Sequence, residues 1–218
     1  IVDFYQIDPD KIEVVYQSCH NQFKQEKSDK TIQEAITKYN LPESFILYVG
    51  SVIERKNLLN IVKAMSTLSK GVRPHLVVVG EGGKYKNQVH QFLAEKGMEK
   101  EVSFITPAFE DLPALYQRAE VFVYPSAYEG FGIPVIEAQY CHTPVVTSNR
   151  SSLPEAGGPD TLQVDPASVD AIADAIEKAL IDKKLRSHMI EKGAEYVKKF
   201  DGDLAAQKMM TVYRELLR

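Results

Sequence analysis

The sequence predicts a doubly wound α/β fold, in which a parallel sheet is covered by helices on both faces. Short apolar runs alternate with longer amphipathic runs along almost the whole chain, as they do where strands are joined by crossover helices. Several of the apolar runs end in glycine-bearing turns that lead into helix-start signals. The length of 218 residues suits one large α/β domain, or one domain with peripheral segments, and 44% hydrophobic and 26% charged residues are ordinary for a globular chain.

Taken in order, strands are expected at Phe45 to Val49, His75 to Val79, Val102 to Phe104, Val121 to Tyr124, Val145 to Thr147 and Thr161 to Val164. Ile12, Val14 and Val15 suggest a further strand at one edge. Helices are expected at Leu58 to Ser69, Lys84 to Lys96, Leu112 to Arg118, Pro134 to Cys141, Val169 to Leu180 and Lys183 to Lys199. The Val169 helix carries Ile172, Ala173, Ile176, Ala179 and Leu180 at the three-four spacing of a sheet-packing face, which marks it as scaffold. Lys24 to Lys30 reads as a charged surface loop. The last run, Asp203 to Arg218, holds Leu204, Met209, Met210, Val212, Tyr213, Leu216 and Leu217, a face suited to docking on a neighbouring domain or on its own.

Charge and motif content narrow the function classes. A net charge of −4 gives no global attraction to nucleic acid, so any anion site must be local. Cys19 and Cys141 form no redox or zinc pattern and point to a reduced, cytosolic compartment. The apolar runs are too short to span a bilayer, and no signal peptide is visible. Because Ile1 opens the sequence without an initiator Met, the chain is expected to be a fragment. The five histidines lack metal-ligand spacing, Ser126 is not in a nucleophile elbow, and no Walker phosphate loop occurs.

The richest segment is Pro125 to Ala138, Pro-Ser-Ala-Tyr-Glu-Gly-Phe-Gly-Ile-Pro-Val-Ile-Glu-Ala. It follows an apolar strand, turns through Gly130 and Gly132, and enters a helix with Pro134 near its first position, where the missing N–H is harmless. A helix N-terminus with free N–H groups and partial positive charge suits a phosphate, while Glu129 and Glu137 can accept hydrogen bonds from hydroxyls. Their eight-residue interval carries nothing alone, since Glu26 and Glu34 share it; the strand, turn and helix start make the signal. Glu137 sits in an apolar stretch where an unpaired charge is costly, so it is expected to face a ligand or partner.

Ligands of open α/β sheets bind beyond the carboxyl ends of the strands, and three further loops there carry suitable groups. Gly50, Ser51, Arg55 and Lys56 follow the first strand; the two cations can meet a diphosphate, although by themselves they also read as solvated charges. Gly80-Glu81-Gly82-Gly83 allows close backbone approach without being a dinucleotide fingerprint. Ile105 and Thr106 can offer backbone groups to a base edge, and an ordinary loop is an equal alternative.

Together, Gly50 to Asn57, Val77 to Gly82, Asp111-Leu112 with Leu115-Tyr116, Pro125 to Ala138 and Ser151 to Glu155 resemble the C-terminal domain of retaining glycosyltransferases of family four, which have the GT-B fold. The resemblance implies a Rossmann-like, nucleotide-sugar-binding domain over residues 1–200, as the C-terminal half of a GT-B fold. It also implies a helix at 201–218 that packs toward an absent N-terminal domain. By similarity, Glu129 contacts the donor sugar, Glu137 the ribose hydroxyls and Lys56 the diphosphate, with backbone amides of Phe131, Gly132 and Ile133 also holding the donor. The expected catalytic set is Glu129, Lys56 and Arg55, and the expected donor contacts are Gly50, Ser51, Glu81, Ile105, Thr106, Phe131, Gly132, Ile133 and Glu137.

Two positions depart from the family pattern. Ser51 stands where many members have Arg, leaving Arg55 as the substitute, and Tyr16 to His20 replaces a frequent Asn-Gly loop. The Arg-Lys-Asn form resembles a subgroup with bacterial mannosyltransferases, implying a GDP-mannose donor. The implied reaction is retaining hexosyl transfer from a GDP- or UDP-linked sugar to a saccharide or lipid-linked acceptor, without metal or cofactor. It would take place in the cytoplasm or at the cytoplasmic membrane face, in polysaccharide biosynthesis. Alternatives are a nucleotide-sugar 2-epimerase, or a donor-binding module inactive as an isolated fragment. No nucleic-acid partner is expected.

Overall fold

The computed structural model describes residues 2–217. Six strands, β1 (Ile46–Val49), β2 (Leu76–Val79), β3 (Val102–Ile105), β4 (Val121–Tyr124), β5 (Val145–Ser148) and β6 (Leu162–Val164), form one sheet in the order β3-β2-β1-β4-β5-β6. Every pairing is parallel, with Ile46 opposite Leu76 on one side and Val121 on the other. Each strand begins and ends within one residue of its expected bounds. The reason is the continuous apolar content of parallel strands buried on both faces: all residues of β2 and β4 are buried.

The helices are α1 (Val2–Tyr5), α2 (Asp29–Lys38), α3 (Leu58–Thr67), α4 (Lys84–Lys96), α5 (Leu112–Arg118), α6 (Ile133–Tyr140), α7 (Leu153–Gly157), α8 (Val169–Ile181), α9 (Lys183–Tyr196) and α10 (Gly202–Leu216). Helix α8 packs on α3 and the sheet through Ile172, Ala173, Ile176 and Ala179, the scaffold face that its spacing indicates. Beyond Tyr196 the expected α9 tightens into a 3₁₀ turn, Val197–Phe200, which buries Val197 and Phe200.

Two expectations are corrected. Ile12 to Val15 is no strand: the segment crosses the carboxyl-end side of the sheet, where Tyr16 stacks on Phe131 at 5.8 Å and donates to Glu155 at 2.6 Å. Its apolar residues serve this crossing instead of a ladder. Lys24 to Lys30 is not simply a surface loop, because Lys24 pairs with Asp201 at 2.8 Å and α2 begins at Asp29. The Ser28 hydroxyl caps α2 by accepting from Thr31 N, while Ala35 and Ile36 are buried. The short α7 was also not expected as a helix. The expected C-terminal helix corresponds to α10, and Arg218 lies outside the described residues. Helix α10 has no buried residue and exposes Leu204, Met209, Met210, Tyr213 and Leu216. Among the described residues, no helix is long and apolar enough to cross a membrane.

Candidate functional site

Strand order reverses between β1 and β4, and the loops leaving those two strands meet there, at the switch point where open α/β sheets bind ligands. Asn57 fixes their meeting. It adopts a left-handed conformation with φ 66°, and its Nδ2 donates to the Pro125 carbonyl at 3.0 Å and the Pro166 carbonyl at 2.7 Å. Gly50 turns the chain out of β1 with φ +149°; a Cβ there would lie 2.9 Å from Lys56 Nζ, so glycine leaves the lysine its place.

Glu129 is the centre of the assembly. Its Oε1 receives hydrogen bonds from Tyr124 and Ser126, each at 2.9 Å, and an ion pair from Arg55 Nη1 at 2.9 Å, while Lys56 Nζ stands 3.8 Å away. Arg55 also donates to the Tyr128 carbonyl. Its Nη1 is therefore turned onto the Glu129 loop. Lys56 Nζ donates to the Tyr124 hydroxyl at 2.6 Å. The side chains of Lys56 and Glu129 are only 14% and 13% exposed, which strengthens their mutual field. Burial tends to raise the Glu129 carboxyl, but bonds from Arg55, Ser126 and Tyr124 and the Lys56 charge outweigh it and hold the pKa below the ordinary value. Burial lowers the pKa of Lys56, opposed by Glu129 and reinforced by Arg55.

The Glu129 to Gly132 turn is pinned from the turn that leads into α7. Ser151 Oγ accepts from Glu129 N at 3.0 Å, and Ser152 Oγ donates to the carbonyls of Glu129 at 2.9 Å and Phe131 at 2.7 Å. Gly132 has φ +128°, and a Cβ would meet Ala156 Cβ at 2.9 Å. Among the described residues, the amides of Phe131, Gly132 and Ile133 have no hydrogen-bond acceptor, so the start of α6 presents free donors. Phe131, Gly132 and Ile133 line a cleft of about 190 Å³ with Lys56, Tyr124 and Glu129.

Glu137 lies deeper on α6, half-buried. Tyr116, on α5 and fully buried, donates to its Oε2 at 3.0 Å. Burial pushes the Glu137 carboxyl up to about 7, against the Tyr116 bond that favours its charged form. Ser51 is exposed, and its carbonyl accepts from Tyr48 at 3.0 Å. Glu81 and Thr106 make a separate pair beyond β2 and β3, with the Thr106 hydroxyl donating to Glu81 at 2.6 Å; Ile105 ends β3 beside them. The structure thus brings together Gly50, Arg55, Lys56, Glu129, Phe131, Gly132 and Ile133, while the Glu81 carboxylate is bonded to Thr106 and the Glu81 backbone carbonyl accepts from Val52 N in the β1 loop at 2.7 Å. Tyr124, Ser126 and Asn57 were not foreseen as site residues. A polar ring at the end of an otherwise apolar strand was the available signal for Tyr124.

Residues 29–196 match the family model described as Glycosyl transferases group 1. The chain belongs to that family. This group 1 chain is 31% identical over 222 residues to the O-antigen chain mannosyltransferase B of Escherichia coli, an alignment that takes in 99% of the chain and 58% of that relative. The chain therefore spans little more than half of that relative's length. A glycosyltransferase from Rickettsia africae superposes with a TM-score of 0.90 at 22% identity, over 100% of this chain and 60% of that one. Anabaena HepE, solved in complex with UDP-glucose, superposes with a TM-score of 0.82 at 19% identity, over 93% and 57%. These likenesses establish the group 1 chain as a Rossmann-like half of the GT-B fold.

Proposed function

We propose that this chain is the donor-binding part of a retaining hexosyltransferase, which takes the sugar, mannose as the leading case, from a nucleoside diphosphate. The observation that carries this is the switch-point assembly, a half-buried cation and carboxylate joined through Tyr124 beside the free amides that open α6. Lys56 and the helix start face the diphosphate, and Glu129 Oε2 accepts from a sugar hydroxyl. Glu137 Oε1 accepts from the ribose. Arg55 acts on the diphosphate only indirectly, through the Glu129 loop.

In the proposed reaction, the bond from the anomeric carbon to the diphosphate oxygen breaks, and a bond to the acceptor oxygen forms on the same face. The acceptor proton passes to an oxygen of the departing diphosphate. Lys56 and the α6 amides stabilise the charge that grows there, a role suited to fixed donors in a partly dry site. Membership in a transferase family favours transfer over the 2-epimerase alternative. Mannose draws support from the likeness to a mannosyltransferase, and the nucleoside diphosphate class from a UDP-glucose-bound neighbour of the same fold; GDP as the carrier rests on the Arg55-Lys56-Asn57 resemblance alone.

Acceptor contacts belong, in this proposal, to a preceding domain that packs toward α10, since the chain covers only 58% of the length of the mannosyltransferase relative. The chain alone would then bind donor and transfer little or nothing. Calorimetry with GDP, UDP, GDP-mannose and UDP-glucose tests the proposal: saturable binding weakened by Lys56→Ala and Glu137→Ala is expected. Absence of binding at millimolar ligand overturns it.

A further inference from the structure

We propose that Tyr124 is a positioning residue: its hydroxyl, seated between Lys56 Nζ and Glu129 Oε1, keeps the ammonium and the carboxylate apart, so that each retains a side free for ligand. The proposal rests on the donor-binding role given above, but its geometry stands in the ligand-free chain. A phenol carries one proton. Here it accepts from Lys56 at 2.6 Å and gives its proton to Glu129 at 2.9 Å, which bridges two charges that are 3.8 Å apart.

The ring that carries this oxygen is fixed. Tyr124 is the last residue of β4 and fully buried, with its ring stacked on Phe122 at 5.6 Å and its carbonyl accepting from Thr147 at 3.0 Å. Glu129 Oε1 is saturated by Arg55, Tyr124 and Ser126, and among the described residues nothing bonds to Oε2. One ammonium proton of Lys56 goes to Tyr124, and the ammonium meets Glu129 only at the long distance of 3.8 Å, which leaves it able to turn donors to a ligand.

Without the hydroxyl, Arg55 and Ser126 still hold Glu129 Oε1, but Lys56 Nζ loses its hydrogen bond to Tyr124, and in a half-buried site the ammonium would move from 3.8 Å onto the carboxylate as a direct ion pair. Such a pair would occupy the cation that a diphosphate needs. The hydroxyl is therefore a spacer, and its removal should act on ligand through Lys56.

The test is a double-mutant cycle on the whole chain, with GDP binding followed by calorimetry. Tyr124→Phe should weaken GDP about tenfold, or about 1.4 kcal/mol, in the native background and change it less than about twofold when Lys56→Ala is already present. Independent, multiplying losses would overturn the spacer role, as would native-like binding by Tyr124→Phe. An NMR titration of the Lys56 ammonium without ligand supplies the second readout. The direct pair in Tyr124→Phe should raise its pKa, and an unchanged value overturns the proposal whether or not GDP binds. If the wild type binds no GDP but the Lys56 titration moves as stated, the donor role fails and the spacer stands. Tyr124→Met, which also lacks the hydroxyl, replaces Phe should that variant not fold.

Discussion

The Tyr116 hydroxyl donates to Glu137 Oε2 at 3.0 Å, just as the Tyr124 hydroxyl donates to Glu129 Oε1 at 2.9 Å. Each glutamate of the Pro125 to Ala138 segment is thus held through one oxygen by a buried phenol. The two sites diverge in charge. Glu129 has Arg55 and Lys56 beside it and is held ionised, whereas Glu137 has only burial and one hydrogen bond, which leaves its pKa at about 7.

Glu137 makes stability depend on pH. Its folded pKa of about 7 exceeds the ordinary 4.5, so the folded chain binds more protons between those values and loses stability as pH rises through that window. Glu137→Gln removes this penalty. Urea denaturation should find the variant more stable than the wild type by about 1 to 3 kcal/mol at pH 8 and no more stable at pH 4.

Donor binding should carry the mirror-image pH signature. If the Glu137 carboxylate accepts from a ribose, binding favours the ionised form and releases a proton near pH 6.5. Calorimetry of GDP in buffers of differing ionisation enthalpy should detect about half a proton or more released there and almost none at pH 8.5. Equal heats in every buffer at pH 6.5 would count against Glu137 as a ribose contact.

Arg55 should matter more for the sugar than for the diphosphate, because its Nη1 is committed to Glu129 and the Tyr128 carbonyl. Arg55→Ala is expected to weaken GDP-mannose about tenfold and GDP less than about threefold. An equal loss for both ligands would return Arg55 to a direct phosphate role.

Gly132→Ala should destabilise the chain and damage the site together. The substitution meets φ +128° and an Ala156 contact at 2.9 Å, and strain at such a position costs about 1 to 3 kcal/mol. A fall in the urea midpoint, together with weaker GDP binding, is expected; Gly71→Ala, where a Cβ meets open space away from the site, is the control that should leave both nearly unchanged.

Much of the fold was legible because its signals are local. Fully buried parallel strands read as unbroken apolar runs, and Val121 to Tyr124 was bounded correctly from that alone. The α6 start was legible from Gly132 and Pro134. The same logic misled at Ile12 to Val15, where Val14 and Val15 line one hollow with Phe131 without pairing in a sheet. Helix α2 was overlooked although Ser28 and the spacing of Ile32, Ala35 and Ile36 were readable, because the adjoining charges suggested a loop.

The sequence by itself determined a doubly wound α/β chain whose strand-end loops carry Arg55, Lys56, Glu129 and Glu137, since strand burial and helix starts are written in short-range composition. Only the tertiary structure decided which groups meet. Lys56 reaches Tyr124 across 68 residues, Asn57 ties Pro125 to Pro166, and Tyr116 finds Glu137 from a different helix. No local period encodes such contacts. The Lys56–Tyr124 and Asn57–Pro125 contacts exist because the strand order reverses between β1 and β4, which places the ends of two strands distant in sequence side by side, and the others because crossover helices and the β6 loop fold back onto the same end of the sheet.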